Sequence, residues 1–389
     1  MRKSIFSLLI FFTATALLRA QDPFGIIHGP YLQNVTSSEA TVVWVASSSS
    51  VGWVELAPDD GSHFYAEERP RYYDCRNGIK TQSRIHSVRL TGLKPGTTYR
   101  YRVFATEIVS RSGWYVDYGR TSATNVYSKK PLRLTTLDED ASSVSFAMVN
   151  DIHGDSGKLE DLLRQCNLDE TDMVLFVGDM VSQFSSEEAV FGGFMDKAVE
   201  LFASEKPMYY TRGNHETRGD LAFNFQDYFS TRQEHIYYMF RHGPVCFVAL
   251  DCGEDKPDSD LEYSGINCYD QYRDEQAEWL RKVVSSKEFQ SAPFRIVTCH
   301  MPSTSGWHGD NEIREKFIPI LNKAGVDVML SGHLHKFQRT APGEVAAFPI
   351  VINSNDDVLQ CKVTPDELQI RIVSREGKLL DTITIRKHK

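Results

Sequence analysis

Short runs with alternating apolar and polar positions, or with consecutive β-branched residues, fill the chain from Gln21 to about Leu137. Ala40–Ala46 (ATVVWVA), Trp53–Leu56, Val88–Leu93 and Tyr99–Phe104 are such runs, and Asp59-Asp60-Gly61 and Lys94-Pro95-Gly96 separate them as turn formers. This texture predicts an all-β domain over residues 21–137. In Leu93-Lys94-Pro95-Gly96-Thr97-Thr98-Tyr99 a tyrosine follows a corner. In β-sandwiches such a hydroxyl can bond back to the preceding backbone.

After the acidic, polar segment Asp138–Ser143, strand-like runs alternate with helical ones, which indicates an α/β layered domain over residues 138–389. The strand-like runs end at Asn150, Val177, Thr211, Leu250, Thr298 and Leu330. The helical stretches include Lys158–Cys166, Glu187–Ser204, Glu275–Val284 and Ile313–Ala324. Beyond His335 the pattern returns to β, with Val345–Asn353, Val358–Val363, Leu368–Val373 and Leu379–Ile385.

The first twenty residues read as an export signal: Arg2 and Lys3, an apolar stretch Ile5–Leu18, then Ala20 at a cleavage point. The stretch is shorter than the ~20 residues that span a bilayer. Leu18 fits the small-residue rule poorly, which leaves the Ala14-Thr15-Ala16 triplet as an alternative. No other segment is long and apolar enough to span a membrane, so the mature chain is expected outside the cytoplasm, either secreted or periplasmic. Asn34-Val35-Thr36 is a glycosylation sequon, with meaning only in a eukaryotic secretory pathway.

The 389 residues carry 43 Lys and Arg against 52 Asp and Glu, a net charge of −9. That balance excludes a broad nucleic-acid surface. A site that handles phosphate must take its positive charge locally, from bound metal. Seven cysteines cannot all pair; Cys252 and Cys268, flanking an acidic loop, are the expected pair, and Cys246 and Cys299 are expected as buried hydrophobes.

Five polar motifs follow five strand-like runs in order: Asp151-Ile152-His153, Gly178-Asp179, Gly213-Asn214-His215-Glu216, His300, and Gly332-His333-Leu334-His335. Polar groups at the carboxyl ends of such strands converge on one crevice. Taken singly each motif is weak: Asp151 and His153 also fit a helix cap and a surface histidine. Together they form a ligand set of Asp, Asn and His suited to zinc, manganese or iron. Asp151, His153, Asp179, Asn214, His300, His333 and His335 suffice for two neighbouring metals, and Asp179 is the natural bridge because a carboxylate offers two oxygens.

The order and wording of these motifs resemble the calcineurin-like metallophosphoesterase family over about Val144 to Gln338. With an N-terminal fibronectin type III-like sandwich before it, the whole mature chain resembles the purple acid phosphatases. The resemblance implies two packed sheets flanked by helices. It assigns Asp151, His153 and His335 to a first metal, Asn214, His300 and His333 to a second, and Asp179 to both. His215 would face the substrate phosphate. The chain departs from the pattern at Ser182, where purple enzymes carry a metal-bound tyrosinate, and at His153, where they have a non-ligand. The first site therefore resembles the wider family, and the protein is not expected to be purple.

The reaction these residues imply is hydrolysis of a phosphorylated small molecule or nucleotide by a metal-bridging hydroxide. His215 or His308 would protonate the leaving alcohol. A phosphomonoester is the expected substrate, with a diester or nucleotide as the alternative. A secreted adhesion protein with a decayed site is a further alternative, opposed by the complete ligand set. Arg212 could meet a phosphate oxygen, or pair with Glu216 or another carboxylate. His242-Gly243-Pro244 is expected to be a hairpin turn, and Asp251 either a cap or a support to the site.

Overall fold

The computed structural model describes residues 23–231 and 233–387. The export signal read over residues 1–20 and His388 lie outside them. The first domain is a seven-stranded sheet wrapped around its own core, with strands from Ile26–Gln33 to Leu132–Thr135. Its backbone is the 20-residue strand Glu39–Pro58, into which Ala40–Ala46 and Trp53–Leu56 merge through the intervening serines. The first half of that strand pairs with Ile26–Gln33 and Ser83–Thr91, the second with Thr98–Ser112. Because successive side chains point to opposite faces, Val42 and Trp44 enter the sandwich core while Val43 and Val45 pack on the second domain. The corner tyrosine behaves as expected: Tyr99 Oη accepts a hydrogen bond from the Lys94 N–H at 2.9 Å.

The second domain holds two six-stranded sheets face to face. In the first, Met208–Thr211, Met173–Val177 and Val144–Val149 run parallel, then Asp357–Val363, Glu367–Ser374 and Leu379–Arg386 continue antiparallel. In the second, Val245–Leu250, Phe294–Cys299, Val328–Ser331 and Ile350–Ile352 run parallel, edged by antiparallel Tyr238–His242 and Gln338–Arg339. Phe146 of the first sheet meets Phe247 of the second edge to face, with ring centroids 5.3 Å apart. The outer face of the first sheet is covered by helix Ser156–Arg164 and the helical stretch 187–203. Helices Tyr269–Val283, His308–Lys316 and Ile318–Ala324 cover the second. No helix among the described residues is long and apolar enough to cross a membrane.

The inner-face core of the two sheets is continuous with the core of the first domain. Polar contacts reinforce that joint. Tyr31 Oη donates to Tyr228 O at 2.9 Å, Tyr209 Oη to Val35 O at 2.6 Å, and Asn34 Nδ2 to Ser230 O at 2.6 Å. The Asn34 amide nitrogen, which a glycan would occupy, is thus engaged inward.

Two sequence expectations are revised. Cys252 is buried with its thiol on carbonyl oxygens of Arg212 and Gly253, whereas Cys268 is exposed, and neither forms a disulfide. Helix Tyr269–Val283 also starts six residues earlier than Glu275, because Asp258 accepts hydrogen bonds from the N–H groups of Tyr269 and Asp270. His242 and Pro244 bound the hairpin turn between antiparallel strands, as the composition predicts.

Candidate metal centre

Six parallel strands deliver their carboxyl ends to one rim. Val144–Val149 leads to Asp151 and His153, Met173–Val177 to Asp179, and Met208–Thr211 to Asn214 and His215. From the second sheet Val245–Leu250 leads to Asp251, Phe294–Cys299 to His300, and Val328–Ser331 to His333 and His335. The chain turns abruptly there. Asp151, His153, Asp179, His333 and His335 all have φ between 52° and 72°, the left-handed region that costs ~1–3 kcal/mol per non-glycine residue. Bonds across the turns hold them so: Asp151 N–H to Gly178 O and His153 N–H to Asp179 O, both 3.0 Å.

The result is two adjoining clusters. Candidate ligand atoms of Asp151, His153 and His335 lie within 4.8 Å of one another, and so do those of Asp179, His300 and His333. His335 Nε2 is 3.1 Å from Asp151 Oδ1 and 3.0 Å from His153 Nε2. His300 Nε2 is 2.9 Å from Asp179 Oδ2 and 3.9 Å from Asp151 Oδ1, so His300 joins the two groups. Asn214 is buried in the adjacent turn.

These residues fit a pair of cations. Asp151 Oδ1 and Asn214 Oδ1 are buried with no hydrogen-bond donor, a costly arrangement unless something positive faces them. The His300 Nδ1–H donates to Val177 O at 2.8 Å, which leaves the Nε2 lone pair for a metal. Burial alone would lower the pKa of His300; Asp179 and Asp151 reverse this and raise it to about 10. Burial would likewise raise Asp179 and Asp151, yet His300 holds both below the usual carboxylate range. A field that retains a proton on His300 also favours a divalent cation there. Burial pushes His153 down to about 4 and lowers His333, while the Asp151 carboxylate beside its ring raises His335.

Glu216 holds the frame together. Its carboxylate is fully buried and accepts from Asp179 N–H at 2.9 Å, Gly213 N–H at 2.8 Å, Met180 N–H at 2.7 Å and Tyr210 Oη–H at 2.7 Å. Burial, then the charge of Asp179, push its pKa upward. Asn150 does the same for Asp151: its Nδ2 donates to Asp151 Oδ2 at 2.6 Å, while its Oδ1 accepts from Asn353 at 2.8 Å. Sequence reasoning passed over both. For Glu216 the signal was present, a carboxylate three residues after Gly213; nothing marked Asn150 beyond its place at a strand end.

Gly178 sits at φ 79°, and a Cβ there would run into the His300 imidazole. Gly178→Ala is expected to displace that ring and weaken metal binding by roughly 10- to 100-fold, as loss of an outer support does. Metal titration checks this, and unchanged affinity would mean that the ring has room to shift.

Three expected site residues stand outside the clusters. His215 is beside them: its N–H donates to Asp179 Oδ1 at 2.9 Å, its Nδ1–H to Ser182 O at 2.8 Å, and its Nε2 lies 3.8 Å from Asp179 Oδ2. Ser182 donates its hydroxyl to His153 O at 3.2 Å. Arg212 is buried and bound to Asp251, Nη2 to Oδ2 at 2.6 Å, so its partner is neither Glu216 nor an open phosphate position. His308 opens its helix with Nε2 2.7 Å from Asp270 Oδ1, and only its neighbour Trp307 reaches the His333 ring, at 6.3 Å. The signal for these two pairings was absent, since Asp251 and Asp270 lie 39 and 38 residues away.

The model of the calcineurin-like phosphoesterases matches residues 144–337, and that of the purple acid phosphatase N-terminal domain matches residues 29–118. Purple acid phosphatase 15 of Arabidopsis thaliana is 23% identical over 297 residues, covering 67% of this chain and 50% of that protein. Purple acid phosphatase 21 of the same plant is 25% identical over 300 residues, 71% of this chain and 60% of that protein. An uncharacterized protein of Mycobacterium tuberculosis (strain ATCC 25618 / H37Rv) is 24% identical over 381 residues, 87% and 67%. The chain thus spans between half and three fifths of the length of these two plant relatives. With its strand-end motifs, its paired carboxylate–imidazole clusters and both family matches in order along it, the chain belongs to the calcineurin-like phosphoesterases, in the arrangement that carries a purple acid phosphatase N-terminal domain.

Proposed function

We propose that the chain is an exported two-metal phosphoester hydrolase acting on phosphomonoesters. The observation that carries this reading is the pair of adjoining clusters with two buried oxygens, Asp151 Oδ1 and Asn214 Oδ1, that lack donors. Asp151, His153 and His335 would hold one cation, Asn214, His300 and His333 the other, and Asp179 would face both. Residues 1–20 are taken as a cleaved signal, residues 21–137 as the sandwich and residues 138–389 as the catalytic domain.

Iron, zinc or manganese at these positions supplies net positive charge and a water acidic enough to react near neutral pH. The remaining work falls to the chain. Hydrolysis joins the water oxygen to phosphorus, breaks the bond to the ester oxygen and leaves a proton to be placed on the departing alcohol. His215 suits that duty. Its Nδ1–H is fixed by Ser182 O, so Nε2 carries the exchangeable proton toward the clusters. His308, the other imidazole proposed for this duty, is tied to Asp270. His215→Ala is expected to lower turnover by roughly 10²–10⁴-fold with metal content intact.

A monoester dianion gains more from a net-positive site than a diester monoanion does. The test is metal analysis of the mature protein together with kcat/KM for an aryl monoester and its bis-aryl diester, supplied with manganese, zinc or iron. About two metals per chain and faster monoester hydrolysis are expected, with activity lost on chelation. A diester preference of about tenfold, some 1.4 kcal/mol, overturns the monoesterase assignment. Failure to bind any of the three metals overturns the whole reading.

A further inference from the structure

Beside the metal centre opens a cleft of about 610 Å³, within the ~300–1,000 Å³ range of small-molecule sites. Thr217 and Arg218, directly after His215 and Glu216, form one wall. Tyr269, Ile266 and Phe223 line the cleft as well. Phe223 is 99% exposed and Ile266 83%. Single exposed apolar residues are ordinary, but two large ones lining one cleft beside a reactive centre mark a contact surface.

The charges of the wall decide what it accepts. Its two cations among the described residues are both matched. Arg212 is bound by Asp251 and clamped between the rings of Phe225 and Tyr269, at 5.8 and 5.9 Å. Arg218 lies fork to fork on Glu254, with both contacts 2.8 Å. Two further carboxylates line the same space, Asp220 and Glu262, the latter paired with Lys256. No unmatched cation on this wall would receive a second phosphate or a carboxylate.

We propose that the cleft receives the alcohol part of the phosphomonoester as an uncharged, ring-bearing group, and that Phe223 and Ile266 set this preference. The inference rests on the hydrolase reading and names its substrate class. Ring faces and edges pair favourably with Phe223 and Tyr269, while a lining with Asp220 and without an unmatched cation disfavours substrates with further anionic groups.

Three esters with leaving alcohols of similar acidity form the test: ethyl phosphate, 2-phenylethyl phosphate and the latter with a carboxylate on its ring. The mature protein, loaded with manganese or zinc, is expected to show kcat/KM at least about tenfold higher for 2-phenylethyl than for ethyl phosphate, the scale of a well-filled apolar pocket. The ring carboxylate is expected to remove most of that advantage. In Phe223→Ser/Ile266→Ser, two solvent-facing positions, the 2-phenylethyl to ethyl ratio should fall towards one. A ratio near one in the unaltered protein, a ratio untouched by the double substitution, or a carboxylate ester that outperforms the neutral one overturns the proposal. Saturation-transfer NMR with 2-phenylethanol, which has no phosphate, reads the cleft apart from the chemistry. If neither ester is hydrolysed, the hydrolase reading fails. Transfer that disappears in the double variant would still support the ring site, and its absence from the unaltered protein would sink it.

Discussion

Replacing Asp179 by asparagine is expected to cost at least roughly 10³-fold in turnover, about 4 kcal/mol of barrier, and to empty the site of most of its metal. Its two oxygens do different work. Oδ2 lies 2.9 Å from His300 Nε2, while Oδ1 accepts the His215 N–H that sets the neighbouring turn. Asparagine keeps an oxygen for one of these tasks but turns the other into an amide N–H₂, a donor that cannot ligate a cation. The lost charge also ceases to balance His300, so the proton held there at about 10 should leave at lower pH. Metal stoichiometry and single-turnover rates measured on one preparation check both halves. Full turnover in Asp179→Asn would refute a shared carboxylate at this point.

The second large effect is expected in stability. Glu216→Gln should destabilise the protein by ~3–5 kcal/mol, the range for removing one partner of a buried charged network. The two carboxylate oxygens each receive two of the four short hydrogen bonds, so an amide nitrogen in either place would face two donors. Asp179 N–H and Gly213 N–H belong to different strand-end turns, and Glu216 alone receives both. Metal affinity should therefore fall along with thermal stability, although Glu216 touches no cation in the proposed arrangement. Calorimetry with and without added metal tests this. A thermal midpoint within a degree or two of the parent would show that the two turns hold their places without Glu216.

The strand-end motifs were legible because a parallel strand has to be nearly continuously apolar. Asp151, Asp179 and His300 therefore stand out against Phe146–Val149, Met173–Val177 and Phe294–Thr298. Ligand types announce themselves; supports do not. Asn150 is an ordinary polar residue until Asn353, 203 positions later, is brought beside it. Arg212 illustrates the same limit: a carboxylate partner is expected from the sequence, but the fold decides that it is Asp251 and not the nearby Glu216. In the first domain four serines, Ser47–Ser50, lie between the runs Ala40–Ala46 and Trp53–Leu56. Yet Ser50 Oγ lies 2.7 Å from the buried His86 Nε2, and the strand carries straight through. Backbone pairing with two different partner strands overrode a low local β propensity.

The uninterrupted apolar core between the two domains bears on modularity. A domain with its own closed core can fold alone. Here the odd-numbered valines of the long strand, Val43 and Val45, belong to the neighbour's core, and Tyr209 is anchored on Val35. Excision of either part would uncover an apolar face. The seam should therefore be heritable only as a pair: a sandwich borrowed from a distant relative would arrive without matching side chains, and the two halves must drift through sequence space together.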